Sequence, residues 1–340
     1  MPRDVKLPRP SRQRSVDLIQ QERGSRLARS PRRRVALILV IAAMVAHADP
    51  AESAEGASSN YFPGSYGSLM VASAPEPGFV ASSQNLFYAA DADRAVLQGR
   101  VNTDVDIDAF YSLLNGYYVH DLPSIGARLA VGGYLSVGYA RLETEIQPAL
   151  LPPFSDDSDR FEFGDLGLVP FSLYWNVGPV AFNVYEMIIA PSGQYDERDT
   201  VNIGRNYWSF DTVASATWFI EKTGTDLSAA LGIMANTRNP DTEYRTGTEF
   251  HLDFMVNQFL LESLAIGFHG YYYEQVEGDS GSGAVLGNFK GDSVGIGAAL
   301  LWLPAFAEGR VLGSLKWLHD VEASNRFEAD YAVAELVVTF

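Results

Sequence analysis

The chain has 340 residues, of which 47% are hydrophobic, with a mean hydropathy of −0.04 and no cysteine. Beyond residue 48 no run reaches the roughly 20 apolar residues that a membrane-spanning helix needs, which excludes a helical membrane bundle. The same part holds 14 basic and 39 acidic residues, and this net charge of −25 argues against nucleic acid as a partner, since nucleic acid needs a basic surface.

Residues 1–48 have the three parts of a secretory leader. Arginines at 32–34 precede an 11-residue apolar core at 35–45, and an A-x-A cleavage site follows at 46–48. The pattern predicts an N-terminal signal peptide that is removed before Asp49. A short buried helix is the alternative, because the core is too short for a single-pass anchor.

Residues 49–78 precede the first predicted strand and are rich in Pro, Gly and Ser. They include Tyr61, Phe62 and Tyr66. This segment is expected either to fold into a barrel as a plug or to remain a periplasmic tail.

The rest of the chain alternates apolar and polar residues with a period of two. In 249–258, Phe250 and Leu252 share one face, whereas Glu249 and His251 share the other. This is the period of a strand with one apolar and one polar face. Twelve strands are predicted near 79–91, 104–120, 126–145, 164–176, 179–191, 206–220, 225–237, 247–259, 263–276, 291–303, 310–320 and 326–340.

The predicted connections alternate between short turns and mostly longer loops. Short periplasmic turns opposite long extracellular loops are typical of a membrane barrel with both termini in the periplasm. The fold class expected for 79–340 is therefore all-β: a transmembrane antiparallel β-barrel of about twelve strands in the outer membrane of a Gram-negative bacterium. Glu186 on an apolar strand face and Pro170 inside a strand do not fit this pattern.

Polar and aromatic residues on the second face of these strands are expected to line the lumen, and Phe110 is assigned to the same face. The candidates are Glu249, His251, Asp253, Asn257, His269, Tyr271, Tyr273, Lys316 and Glu335. An ion pair between Glu335 and Lys316 would support a structural role for the lumen.

The last strand alternates up to Phe340, with Val338 and Leu336 on the same face. A C-terminal aromatic residue on such a strand is expected to be read by the barrel assembly machinery. Lipid and lipopolysaccharide of the outer membrane are the other expected partners.

Catalysis and metal binding are weaker interpretations of the polar face. A lipase-like Ser–His–acid site would lie on the outer surface, whereas His251 and His269 are expected to point into the lumen. The G-x-S-x-G run at 291–295 begins a predicted strand, so it is not expected to form a nucleophile elbow, which joins a strand to a helix. A metal site on these two histidines is the other alternative. Neither an enzymatic role nor a cofactor is expected.

Three stretches, at 202–211, 239–254 and 270–291, resemble a known outer-membrane family, and shorter matches occur at 60–67, 191–195 and 325–328. This is the family of transporters named for the meta-pathway of phenol degradation. The resemblance implies a barrel that passes small hydrophobic, including aromatic, compounds across the outer membrane. A non-transporting structural or binding barrel is the alternative, and an outer-membrane lipid hydrolase is the third hypothesis.

Overall fold

Antiparallel strands make up most of the part of the chain that the structure, a computed structural model, describes: residues 59–97, 100–146, 154–284 and 287–340. The predicted signal peptide at 1–48 lies outside these residues. No helix in the described ranges is long and apolar enough to cross a membrane. The strands are β1 (Gly78–Leu97), β2 (Arg100–Leu122), β3 (Ala127–Ile146), β4 (Phe154–Phe163), β5 (Leu166–Val177), β6 (Val180–Ala190), β7 (Ser209–Ile220), β8 (Thr225–Asn236), β9 (Glu249–Leu261), β10 (Leu264–Gln275), β11 (Asp292–Trp302), β12 (Val311–Ser324) and β13 (Glu328–Thr339).

The strands form one antiparallel sheet that closes on itself. β1 pairs with β13 on one side and with β2 on the other, and β2 continues the sheet to β3. β4 and β5 both pair with β3 and share one position in the wall, so the barrel has twelve strand positions. The predicted all-β antiparallel barrel is confirmed.

The predicted strands at 126–145 and 164–176 leave a loop over 146–163. This prediction is wrong, because β4 occupies much of that range. The interruption between β4 and β5 lies at Asp165, whose carboxylate accepts hydrogen bonds from the backbone N–H groups of Ser192, Gly193 and Arg205. A buried carboxylate that accepts three backbone hydrogen bonds stabilises a break in the strand. The alternation of apolar and polar residues does not predict these contacts, because the three donors lie 27 to 40 positions away.

The connection predicted over 92–103 is also shorter, because β1 and β2 stay paired out to Leu97 and Arg100. Polar side chains were expected to face the lumen, but in this outer part of β2 they face outwards. Val105 and Ala109 are buried, whereas Asp106 and Asp108 are exposed. The strand extends above the apolar band there, so its acidic face meets water rather than lipid.

Phe110 lies on the outer surface and not in the lumen, which corrects its predicted position. Its ring is 5.0 Å from that of Phe87, a half-exposed residue. Because side chains alternate along a strand, its neighbours Ala109 and Tyr111 point inwards.

The outer face carries the apolar band that a bilayer requires. Large hydrophobic side chains remain exposed on nearly every strand, among them Leu114, Leu135, Leu168, Ile233, Val256, Ile266, Leu300, Leu315 and Leu336. Trp218 and Trp302 lie near the short turns and Trp208 at the opposite end of β7, and each is exposed. Aromatic rings at both edges of an apolar band are typical of a barrel in the outer membrane.

Candidate functional site

Residues 59–78, hereafter the plug segment, contact the inner face of the strands. The segment contributes Tyr61 to the same buried hydrophobic cluster as Tyr271 and Tyr331 of the wall. Several of its side chains and backbone groups form hydrogen bonds with strands β7, β8, β9, β12 and β13.

Tyr61 is held by two residues of β9. Its hydroxyl donates a hydrogen bond to Asp253 Oδ2 at 2.8 Å, and its ring stacks on the His251 imidazole with centroids 4.2 Å apart. Burial, together with the Asp253 carboxylate, holds the pKa of Tyr61 well above its usual value, so the hydroxyl remains a donor.

Tyr66 forms a second contact of the same kind. Its hydroxyl donates to Asp211 Oδ2 at 2.7 Å, and His251 Nε2 lies 3.0 Å from Asp211 Oδ1. The period of two places His251 on the inner face of β9 and Asp211 on that of β7, and β8 contributes only Gly232 between them: a side chain there would collide with His251. One imidazole thus joins both tyrosine contacts.

Lys316 of β12 holds the turn of the plug segment. Its ammonium donates hydrogen bonds of 2.8 Å to the carbonyl oxygens of Gly64 and Gly67. The side chain is only 1% exposed. Gly64 and Gly67 both have positive φ, a conformation that glycine adopts without strain, so this turn presents two carbonyls to one cation.

The predicted ion pair between Lys316 and Glu335 is not among the ion pairs of the described residues. Glu335 Oε2 instead accepts a hydrogen bond from the Ser68 hydroxyl at 2.7 Å and one from Ser314 at 3.3 Å. Both charged side chains therefore bind the plug segment rather than each other.

The lower part of the plug segment is held by its backbone. The N–H of Met70 donates to Asp226 Oδ2 at 2.9 Å, and the N–H of Ala72 donates to Thr217 Oγ1 at 3.0 Å. Asn257 donates its amide to the Ser68 carbonyl.

Arg128, at the short-turn end of β3, holds the segment where it leaves the lumen. Its guanidinium donates to the carbonyl of Pro75 and pairs with Glu76 and Asp121. The plug segment is thus attached at the periplasmic rim as well as within the barrel.

The remaining predicted residues of β9 and β10 are also buried. Glu249 accepts a hydrogen bond from Asn236, and His269 Nε2 lies 2.8 Å from Asn257 Oδ1. Tyr273 stacks on Tyr61 at 5.6 Å. Tyr271 packs edge-on against Tyr331.

The register keeps His251 and His269 apart. His251 faces Tyr273 and His269 faces Met255, so the two imidazoles are not cross-strand neighbours. His251 Nε2 lies within hydrogen-bond distance of the Asp211 carboxylate, and His269 Nε2 within that distance of Asn257 Oδ1. Both imidazoles therefore lie against side chains that themselves contact the plug segment, Asp211 and Asn257.

A cavity of about 360 Å³ lies between the plug segment and the opposite wall, and is hereafter the chamber. The plug segment contributes Phe62 and Tyr66, while β2, β3, β5 and β6 contribute most of the wall. Its aromatic and sulfur-containing lining comprises Phe62, Tyr66, Met70, Tyr117, Tyr134, Tyr174, Tyr185 and Met187.

The chamber continues towards the periplasmic rim. A second cavity, of about 590 Å³, shares Ser73 and Tyr174 with the chamber and reaches Arg128 and Glu76. Of the predicted lumen residues, only Glu335 lines the chamber.

Sequence reasoning missed the chamber residues for an identifiable reason. Strands β5 and β6 carry apolar or aromatic residues on both faces, so the alternation does not distinguish an inner from an outer side. Asp211 and Thr217 could have been found, because they alternate with Phe210 and Trp218 on β7.

The structure aligns with several solved structures. The COG4313 outer membrane channel from Pseudomonas putida F1 aligns with a TM-score of 0.61 at 15% identity, over 83% of this chain and 100% of that chain. The translocator domain of the autotransporter NalP from Neisseria meningitidis aligns with a TM-score of 0.42 at 8% identity, over 78% of this chain and 90% of that one. A Pseudomonas aeruginosa FadL homologue gives a TM-score of 0.39 at 6% identity, over 77% and 90%.

Among curated proteins, none matches the sequence at a significant level. One family model does match, over residues 87–336, and its description reads "Putative MetA-pathway of phenol degradation". The matched region extends from β1 to β13 and so covers almost the whole barrel wall. The chain is an outer-membrane β-barrel that belongs to this phenol-degradation family.

Proposed function

We propose that the chain is an outer-membrane channel for small hydrophobic compounds, including aromatic ones, and that the chamber is where the solute binds. The observation that carries this proposal is the chamber itself, a cavity of about 360 Å³ with many aromatic rings in its lining. A cavity of about 150 Å³ already holds benzene, so the chamber has room for a substituted ring. Membership of a family named for phenol degradation supports the same substrate class.

The lining suits a solute with an apolar body and few polar atoms. Tyrosine and methionine supply apolar area, while Asn115 and Asn183 add a small number of hydrogen-bonding groups. Binding sites for small molecules usually combine these two features. In this proposal the plug segment closes the path, and its movement admits the solute.

Filling the chamber is expected to weaken solute binding at least tenfold. Ser215 is 6% exposed and lines the chamber, so Ser215→Phe would place a ring in the space that the solute occupies. The matched control is Ala216→Phe, on the next residue of β7 and therefore on the lipid face. The measurement is the affinity for 1-N-phenylnaphthylamine, an aromatic probe that fluoresces in apolar surroundings.

Equal affinities of the two variants would show that the chamber is not the binding site. A second assay follows uptake of the same probe by Gram-negative cells that express the protein. Binding without faster uptake than in cells lacking the protein would favour a non-transporting binding barrel, the alternative that the anchored plug segment supports.

We also propose that Phe340 is recognised by the barrel assembly machinery. Its side chain is exposed, and its N–H pairs with the Phe79 carbonyl of β1, where the barrel closes. Phe340→Ser is expected to lower the amount of folded protein in the outer membrane severalfold. Phe306→Ser, at an equally exposed phenylalanine in a short turn, is the control. The measurement is the amount of heat-modifiable protein on gels. Equal amounts of the two folded variants would contradict the proposal.

A further inference from the structure

Glu186 is an acidic residue on the lipid-facing side of β6. The chamber is lined by its neighbours Tyr185 and Met187, so Glu186 points away from the lumen. Towards the extracellular end the next outward residues are Ile188 and Ala190, and towards the short turn they are Val184, Phe182 and Val180. The carboxyl therefore lies within the apolar band and not at its edge.

Placing a carboxyl at this depth in a bilayer costs free energy, and the ionisable residues found there are typically functional. Within the described residues, the Thr212 hydroxyl of β7 donates a hydrogen bond of 2.6 Å to Glu186 Oε2. A carboxyl group can accept several hydrogen bonds, so one donor leaves it with unused capacity. Its other cross-strand neighbour is Phe171, which offers no hydrogen-bond donor from its side chain.

The wall is irregular beside Glu186. The pairing of β5 with β6 passes from Leu168–Ile188 to Phe171–Glu186, so two residues of β5 stand opposite Met187 alone. Pro170 is one of them, and it has no N–H for the ladder. Pro170 and Phe171 are both exposed on the outer face, so the bulge presents apolar surface beside the carboxyl.

These observations define the chemistry of an occupant. Phe171, Val184 and Ile188 surround the Glu186–Thr212 pair with apolar surface, and the carboxyl offers hydrogen-bond acceptors. Lipid headgroups do not reach the middle of the band. A second copy docked through the same face would pair two carboxyls, and the test below distinguishes that occupant from a small molecule.

We propose that Glu186 and Thr212 form a binding site, open to the bilayer core, for a small apolar molecule that carries a hydroxyl group. The hydroxyl donates to the carboxyl of Glu186, and the apolar body lies against Phe171 and the bulge at Pro170. The site is separate from the chamber, although only the wall of β5 and β6 divides them. Binding at this site does not depend on transport through the barrel, so it can be tested even if the protein transports no solute.

The test uses dicyclohexylcarbodiimide, an apolar reagent that modifies carboxyls from within the membrane, on the full chain in lipid nanodiscs. Mass spectrometry of peptides is expected to show modification of Glu186, and Glu186→Gln is expected to lose it. A water-soluble carbodiimide should modify exposed acids such as Glu308 and Glu328 and leave Glu186 untouched.

Two probes of similar shape then separate hydroxyl recognition from simple crowding. We expect 4-pentylphenol to slow the modification of Glu186 at least threefold, and pentylbenzene, which lacks the hydroxyl, to leave the rate unchanged.

Three results would overturn the inference. The first is equal protection by the two probes, and the second is no modification by the apolar reagent. The third is protection that rises with protein concentration in the absence of probe, which would identify a second copy as the occupant.

Discussion

A disulfide between positions 68 and 314 is expected to lower probe uptake at least tenfold, and reduction should restore it. Ser68 of the plug segment and Ser314 of β12 have hydroxyl oxygens 3.0 Å apart, so cysteines at these positions place their sulfur atoms within bonding reach. The chain has no cysteine of its own, so Ser68→Cys/Ser314→Cys can form only this intramolecular bond.

The control is a disulfide within the wall. Thr225 and Gln258 face each other across β8 and β9, and their side chains are hydrogen-bonded at 2.9 Å without touching the plug segment. Thr225→Cys/Gln258→Cys should transport equally well when oxidised and when reduced. The measurement is uptake of 1-N-phenylnaphthylamine by whole cells before and after a reductant is added.

The comparison distinguishes a movable plug from a fixed one. If the oxidised Ser68→Cys/Ser314→Cys variant transported as fast as the reduced one, solutes would pass beside an immobile plug segment. That result would refute the proposal that the plug segment must move to admit the solute. The chamber could still bind solute in that case, because the Ser215→Phe test does not depend on movement.

Replacement of Lys316 by methionine is expected to release the plug segment more often. Methionine retains the apolar part of the side chain but cannot donate to the carbonyls of Gly64 and Gly67. A hydrogen bond from a charged donor contributes about 1.5–3 kcal/mol, and part of the loss of two is offset because no ammonium is buried. A net loss of about 1.4–2.8 kcal/mol corresponds to a roughly 10- to 100-fold larger open population.

A single cysteine on the plug segment reports this opening. Ala72 is 1% exposed, so Ala72→Cys should react slowly with a water-soluble maleimide until the segment leaves the lumen. Lys316→Met should raise the labelling rate 10- to 100-fold, in proportion to the open population estimated above. Lys222→Met, at an exposed lysine in a short turn, should not change it. An unchanged rate in both variants would mean that Lys316 does not hold the segment closed.

The amino-acid sequence by itself determined the barrel and its twelve strand positions. Alternation along β9 and β10 places Phe250 outside and His251 inside because successive side chains point to opposite faces of a strand. One face must meet lipid, so the assignment follows wherever the two faces differ in polarity. This local rule also identified the residues of β9 that contact the plug segment.

Alternation does not assign inner and outer faces where both faces of a strand have the same polarity, or where the outer face meets water instead of lipid. β5 and β6 are apolar on both sides, so nothing local indicates that Tyr185 lines a chamber and Glu186 faces lipid. The outer part of β2 extends into water, where its acidic face points outwards and Val105 is buried.

Only the tertiary structure decided what the inner polar residues do. They were expected to line the lumen, and their partners come from the fold: Asp253 binds Tyr61, which is 192 positions away in sequence, and Lys316 binds Gly64, which is 252 positions away. Contacts across such separations depend on the closure of the barrel and leave no local periodic signal. For the same physical reason the sequence indicates a lumen with a polar face and leaves open where residues 49–78 lie, whereas the fold places residues 59–78 against that face and a chamber on the opposite side.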